Sequence, residues 1–111
     1  MANTFKDAQV QLANTSITDL YQVSSTAGTV AIVVSILVAN VNGTASADIT
    51  VLKTDSANTL LSYLAFTIPV PADTSLEVVP NKIFLSAGEK IRVQASAGNY
   101  LHATISAVEI V

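Results

Sequence analysis

The sequence predicts an all-β domain, a two-sheet antiparallel β-sandwich of the jelly-roll kind, on three observations. Short runs rich in Val, Ile, Leu and Thr are separated by turn-forming clusters about every ten residues. Several runs alternate polar with apolar, as half-buried strands do; residues 9–13 (QVQLA) and 90–95 (KIRVQA) are the clearest. No stretch carries a convincing helical period.

The longest apolar run, residues 29–43 (TVAIVVSILVANVNG), is the central strand, because its many β-branched residues lose side-chain freedom in a helix. About twelve apolar residues fall short of the roughly 20 that a membrane-spanning helix needs. With period two, Val30, Ile32, Val34, Ile36 and Val38 share one face, expected in the core. Ala31, Val33, Ser35, Leu37, Ala39 and Val41 share the other, which something else must cover.

In chain order, residues 1–8 are polar except for Phe5 and are expected as an N-terminal arm, with residues 9–111 forming one domain. Phe5 anchors the arm on a partner or packs back on its own domain. Residues 9–13 and 17–23 supply two strands, broken at Asn14-Thr15-Ser16. After the central strand, Asn42-Gly43 predicts a type I′ hairpin to a partner at 47–53. Residues 54–58 form a loop, and 60–70 (LLSYLAFTIPV) read as an edge strand ended by Pro69 and Pro71, with a helical turn at 60–66 as the alternative. Strands follow at 75–79, 82–85, 90–95 and 101–111. The expected core is Leu12, Leu20, Val30, Ile32, Val34, Ile36, Ile49, Val51, Ile68, Leu76, Val78, Leu85, Ile91, Val93 and Ile105.

Composition narrows the function. The chain has 111 residues, no cysteine, and 12% charged residues where about 25% is usual. Absent cysteine removes disulfides, thiolate nucleophiles and thiolate-bound zinc. The net charge is −3 and the five basic residues are scattered, so no basic stripe exists to neutralise nucleic-acid phosphates. So low a charge points to a surface that largely faces other protein. The N-terminal residues lack the apolar core of a secretory signal, so synthesis in a cytoplasm is expected.

No catalytic, cofactor or metal site is expected. His102 is the single histidine, with no second metal ligand beside it. The carboxylates Asp7, Asp19, Asp48, Asp55, Asp73, Glu77, Glu89 and Glu109 stand singly and read as solvated residues near turns. With four glycines there is no phosphate cradle.

The elements Leu20-Tyr21-x-Val23, Asn40-x-Asn42-Gly43, Ile68-x-Val70-Pro71-Ala72-x-Thr74-Ser75-Leu76-Glu77 and Ile83-x-Leu85-x-Ala87-Gly88-Glu89-x-Ile91-x-Val93-x-Ala95 resemble small structural proteins of tailed bacteriophages. The capsid-decorating, or cement, proteins are the most similar of these. The resemblance runs from Ile17 to the C-terminus and carries no catalytic residue. It implies a non-enzymatic protein on the outer capsid surface, bound to the major capsid protein and often trimeric. The alternative is a tail or neck fibre module that binds host-surface carbohydrate, although the chain has no Trp and only three Tyr for a stacking platform.

The doubly apolar central strand, together with residues 60–66 (LLSYLAF), motivates a homo-oligomer, with Phe5, Val33, Leu37, Val41 and Leu52 as candidate partner contacts. A trimer is favoured because shells offer threefold sites. Cover by a loop or by residues 60–66 of the same chain would serve the same face.

Overall fold

The computed structural model describes residues 3–79 and 81–110. Their nine strands are β1 (Asn3–Gln11), β2 (Thr18–Gln22), β3 (Val30–Asn40), β4 (Ala47–Thr54), β5 (Leu60–Val70), β6 (Ser75–Glu77), β7 (Ile83–Ser86), β8 (Lys90–Ala95) and β9 (Leu101–Ile110). One sheet runs β1-β9-β3-β6, with β7 also paired to β3; the other runs β2-β8-β4-β5.

The pairing explains the order. β1 pairs β9, β2 pairs β8, β3 pairs β6 and β7, and β4 pairs β5, all antiparallel. These pairs make one long two-stranded ribbon, turned at 55–59. Rolling it up adds the β3–β9 and β4–β8 pairs and closes two sheets. That is a jelly roll. Apolar side chains of both inner faces fill the interior, among them Leu12, Ile36, Ile49, Val51, Leu85, Ile91, Val93, Leu101 and Ile105.

Four local expectations are corrected. The first concerns β3, whose register on β9 slips between Val33 and Ser35. Val34 is the extra residue of a β-bulge, and a bulge reverses the in–out alternation. Ala31 and Val33 therefore face the core before it, and Ile36 and Val38 after it. Val33 is 1% exposed and Val34 43%. Val30 and Ile32, expected inside, lie half-buried on the outer face.

The second is the hairpin. β3 and β4 lie in different sheets, so residues 41–46 are a crossover. Neither Asn42 nor Gly43 has positive φ. Instead Asn42 Oδ1 accepts from the amides of Thr44 at 2.8 Å and Ala45 at 2.9 Å. Asn40 Nδ2 donates to the carbonyls of Ala45 and Val70, clamping the loop between the sheets.

The third is the arm. From Asn3 the chain is already β1, in continuous register on β9; Met1 and Ala2 lie outside the described residues. Residues 3–7 expose both faces, so main-chain pairing alone builds this half and leaves no apolar alternation.

The fourth is Ile68, which lies on edge strand β5 rather than in the core. It follows Thr67, whose φ of 49° breaks the alternation. A β-branched residue there is strained by about 1–3 kcal/mol. The Thr67 amide is held by Thr50 Oγ1 at 3.1 Å. Residues 60–66 are strand throughout, so the helical alternative is not taken.

Candidate functional site

The two sheets present unlike outer faces. On the β1-β9-β3-β7 face the registers set four apolar side chains in one row. Phe5 lies opposite Val108, Val108 opposite Ile32, and Ile32 opposite Phe84. At about 4.8 Å between strands the row is roughly 15 Å long. Its aromatic ends are open to solvent, Phe5 at 84% and Phe84 at 56% exposure. Val30 and Ile110 flank it on one side. On the other, the bulge turns Val34 outward. Between Phe5 and Val34 a shallow hollow of about 420 Å³ is lined by Asp7, Ser106 and Val108.

On the opposite sheet β2 and β8 carry the charge, while edge strand β5 exposes apolar side chains. Asp19 stands opposite Arg92, which stands opposite Leu52. Arg92 Nε donates to Asp19 Oδ1 at 2.6 Å. Lys90 Nζ donates to Asp19 Oδ2 at 3.2 Å and to Asn58 Oδ1 at 2.9 Å. Burial pushes the Asp19 carboxyl up, but Arg92 and Lys90 outweigh it and hold it below the usual carboxylate range. A polar groove of about 260 Å³ continues this face along Thr15, Thr50, Thr67, Gln94 and Ser96.

The sheets are also joined by a buried polar pair. The Tyr21 hydroxyl of β2 donates to Glu109 Oε2 of β9. Burial, then the hydrogen bond and charge of Glu109, raise the Tyr21 phenol far above its ordinary range. Glu109 was expected to be solvated; it is buried.

The five candidate contacts divide. Phe5, Leu37 and Val41 are exposed, and Leu37 and Val41 are both about half-exposed. Val33 lies in the core. Leu52 lies on the outer face but is buried there, with Arg92 and Tyr63 as cross-strand neighbours. The sequence reading missed Phe84, Ile32 and Val108. Phe84 carried a legible signal, an aromatic side chain between Ile83 and Leu85 on a short strand.

Among the described residues, no three His, Cys, Asp or Glu side chains cluster as metal ligands would. Exposed aromatics do meet on β5, where Tyr63 and Phe66 stand 4.8 Å apart at 67°.

No protein-family profile matches the sequence, and no curated protein matches it. Solved structures match the fold. A chain of the acidic-stable capsid of Helicobacter pylori bacteriophage KHP30 aligns with TM-score 0.62 at 10% identity, over 99% of this chain and 89% of that one. A chain of infectious bursal disease virus, Gx strain, aligns with TM-score 0.51 at 11% identity, over 96% of this chain but 29% of that one. The Drosophila NLP core, described for pentamer formation and histone binding, aligns with TM-score 0.51 at 10% identity over 96% and 95%. The chain thus has a jelly-roll fold that viral capsid structures also contain.

Proposed function

We propose that the chain is a non-enzymatic structural protein of a bacteriophage virion that decorates the outer capsid surface. In this reading the Phe5–Val108–Ile32–Phe84 row lies against major capsid subunits, and the Asp19–Arg92 face meets solvent. One observation carries it: the two outer faces of one thin sandwich differ in chemistry. A protein wet on both sides gains nothing from an open apolar row, whereas one seated on a shell buries it. At roughly 1.5–3 kcal/mol per large apolar side chain, the row supplies a useful share of an interface. The capsid likeness supports the same reading at the level of fold. The protein acts as a closed homo-oligomer, with three copies matching the threefold sites of a shell.

The test is to fractionate virions into heads and tails and quantify the chain in each. Copies in the hundreds on heads support decoration. A few copies on tails, with binding on a glycan array and none to empty shells, would establish the carbohydrate module instead.

A further inference from the structure

The cross-strand ladder Phe5–Val108–Ile32–Phe84 is not alone in exposing large apolar side chains. β5 closes the β2-β8-β4-β5 sheet, and among the described residues no strand pairs with its outer side. It exposes Leu60, Leu61, Tyr63, Phe66 and Ile68, with Phe66 at 60%. No charged residue lies between Asp55 and Asp73. Edge strands are usually guarded by charges; here the guards are Pro69 and the register slips against β4.

We propose that the β5 edge is where identical copies of this chain meet, lining their common rotation axis. Three features select a second copy as the occupant. Near a symmetry axis each residue approaches its own equivalents, so a charge there would face a like charge; β5 has none. The surface also has the shape of an axis lining, one strand wide and, at eleven residues, roughly 36 Å long. The ladder, by contrast, spreads across four strands.

The third feature is area. Each about half-exposed, the five residues offer roughly 450 Å² per copy, taking about 200 Å² for a fully exposed large apolar residue. With the usual polar share of an interface this corresponds to roughly 800 Å² per copy, which a trimer divides between two neighbours, so that the closed ring rather than any one pair reaches the standard area. The inference rests on the homo-oligomer reading above but not on attachment to a shell.

Two variants separate the surfaces. Leu61→Glu with Phe66→Glu alters only exposed β5 positions, and Phe5→Glu with Phe84→Glu alters only the ladder. Native mass spectrometry at micromolar concentration should find the wild type and the ladder variant assembled, and the β5 variant a monomer. Circular dichroism should show the β spectrum in all three. A second β5 variant, Leu60→Gln with Phe66→Gln, gives the same reading without added charge should the first fail to fold. A wild-type monomer, or a β5 variant that stays assembled, would overturn the proposal. Assembly lost only in the ladder variant would overturn it too, by moving the contact between copies to the other face. A β5 variant that is monomeric while wild-type assemblies ignore the shell would keep this inference and remove decoration.

Discussion

The outer face of β1-β9-β3-β7 and the outer face of β2-β8-β4-β5 are built on the same plan and end in opposite chemistry. Both are antiparallel layers over one core, and both carry side chains at every second position. On the first, cross-strand neighbours are Phe5, Val108, Ile32 and Phe84. On the second they are Asp19, Arg92, Leu52 and Tyr63; Leu52 is buried beside Arg92, and the exposed apolar side chains are confined to edge strand β5. Long side chains bear on the difference, because Leu52 has Arg92 and Tyr63 as its cross-strand neighbours and is left 5% exposed. The first face has no such cover. In a jelly roll the layers set the scaffold, and the register of a few side chains decides which outer positions stay apolar and open.

The largest effect should come from breaking the apolar face alone. Phe5→Glu with Phe84→Glu should weaken binding to empty shells on the order of 1,000-fold, at about 2 kcal/mol for each lost side chain. Both residues are exposed, so the thermal midpoint of the free protein should barely move. Sedimentation with shells measures the first and a melting curve the second.

Beneath that face the sheets are tied by Tyr21 and Glu109. Tyr21→Phe leaves a buried carboxylate without its donor and should cost about 2–3 kcal/mol in denaturant unfolding. The pH dependence has a definite sign. Tyr21 holds its proton more tightly folded than unfolded, so its contribution is full below about pH 10 and falls as pH rises further. The Phe variant should lack this part of the alkaline loss.

The bulge that shapes the apolar face makes a paired prediction. Val33→Ala should cost about 2 kcal/mol, the price of buried methyl groups and the cavity they leave. Val34→Ala should cost less than about 0.5 kcal/mol. Equal costs, or the reverse order, would place the bulge elsewhere.

The smallest effect belongs to the charged face. Asp19→Asn should lower stability by less than about 1 kcal/mol, since Asp19 is half-exposed and screened, and should leave shell binding unchanged. Because its folded carboxyl titrates below the unfolded one, its contribution is present above about pH 4 and lost as pH falls below that. An acid titration of wild type beside the variant reads this directly.

These contrasts also explain what the chain's own residues disclosed. The strands were legible because turn clusters bound each apolar run, and Lys90 to Ala95 alternates cleanly. The two sides of β3 were not. Val33 and Val34 are the same residue in a run apolar on both parities, so nothing local marks which one is extra. The Asn42-Gly43 signal was real as a turn but silent on partners. Pairing of β4 with β8, distant in sequence, decides that a crossover forms. Residues 3–7 hid as an arm because a strand wet on both faces has no pattern to read. Part of the ladder was hidden for a related reason: Phe5, Val108, Ile32 and Phe84 lie on four different strands, and only register joins them.

The absence of cysteine from the chain permits a direct test of which face meets the shell. Ser106→Cys places one thiol in the hollow beside Val108, and Ser96→Cys places one in the polar groove of the opposite face. Maleimide labelling of each, free and on shells, should find Ser106→Cys protected on the shell and Ser96→Cys reacting at its free rate. Protection of Ser96→Cys with Ser106→Cys still open would contradict the account.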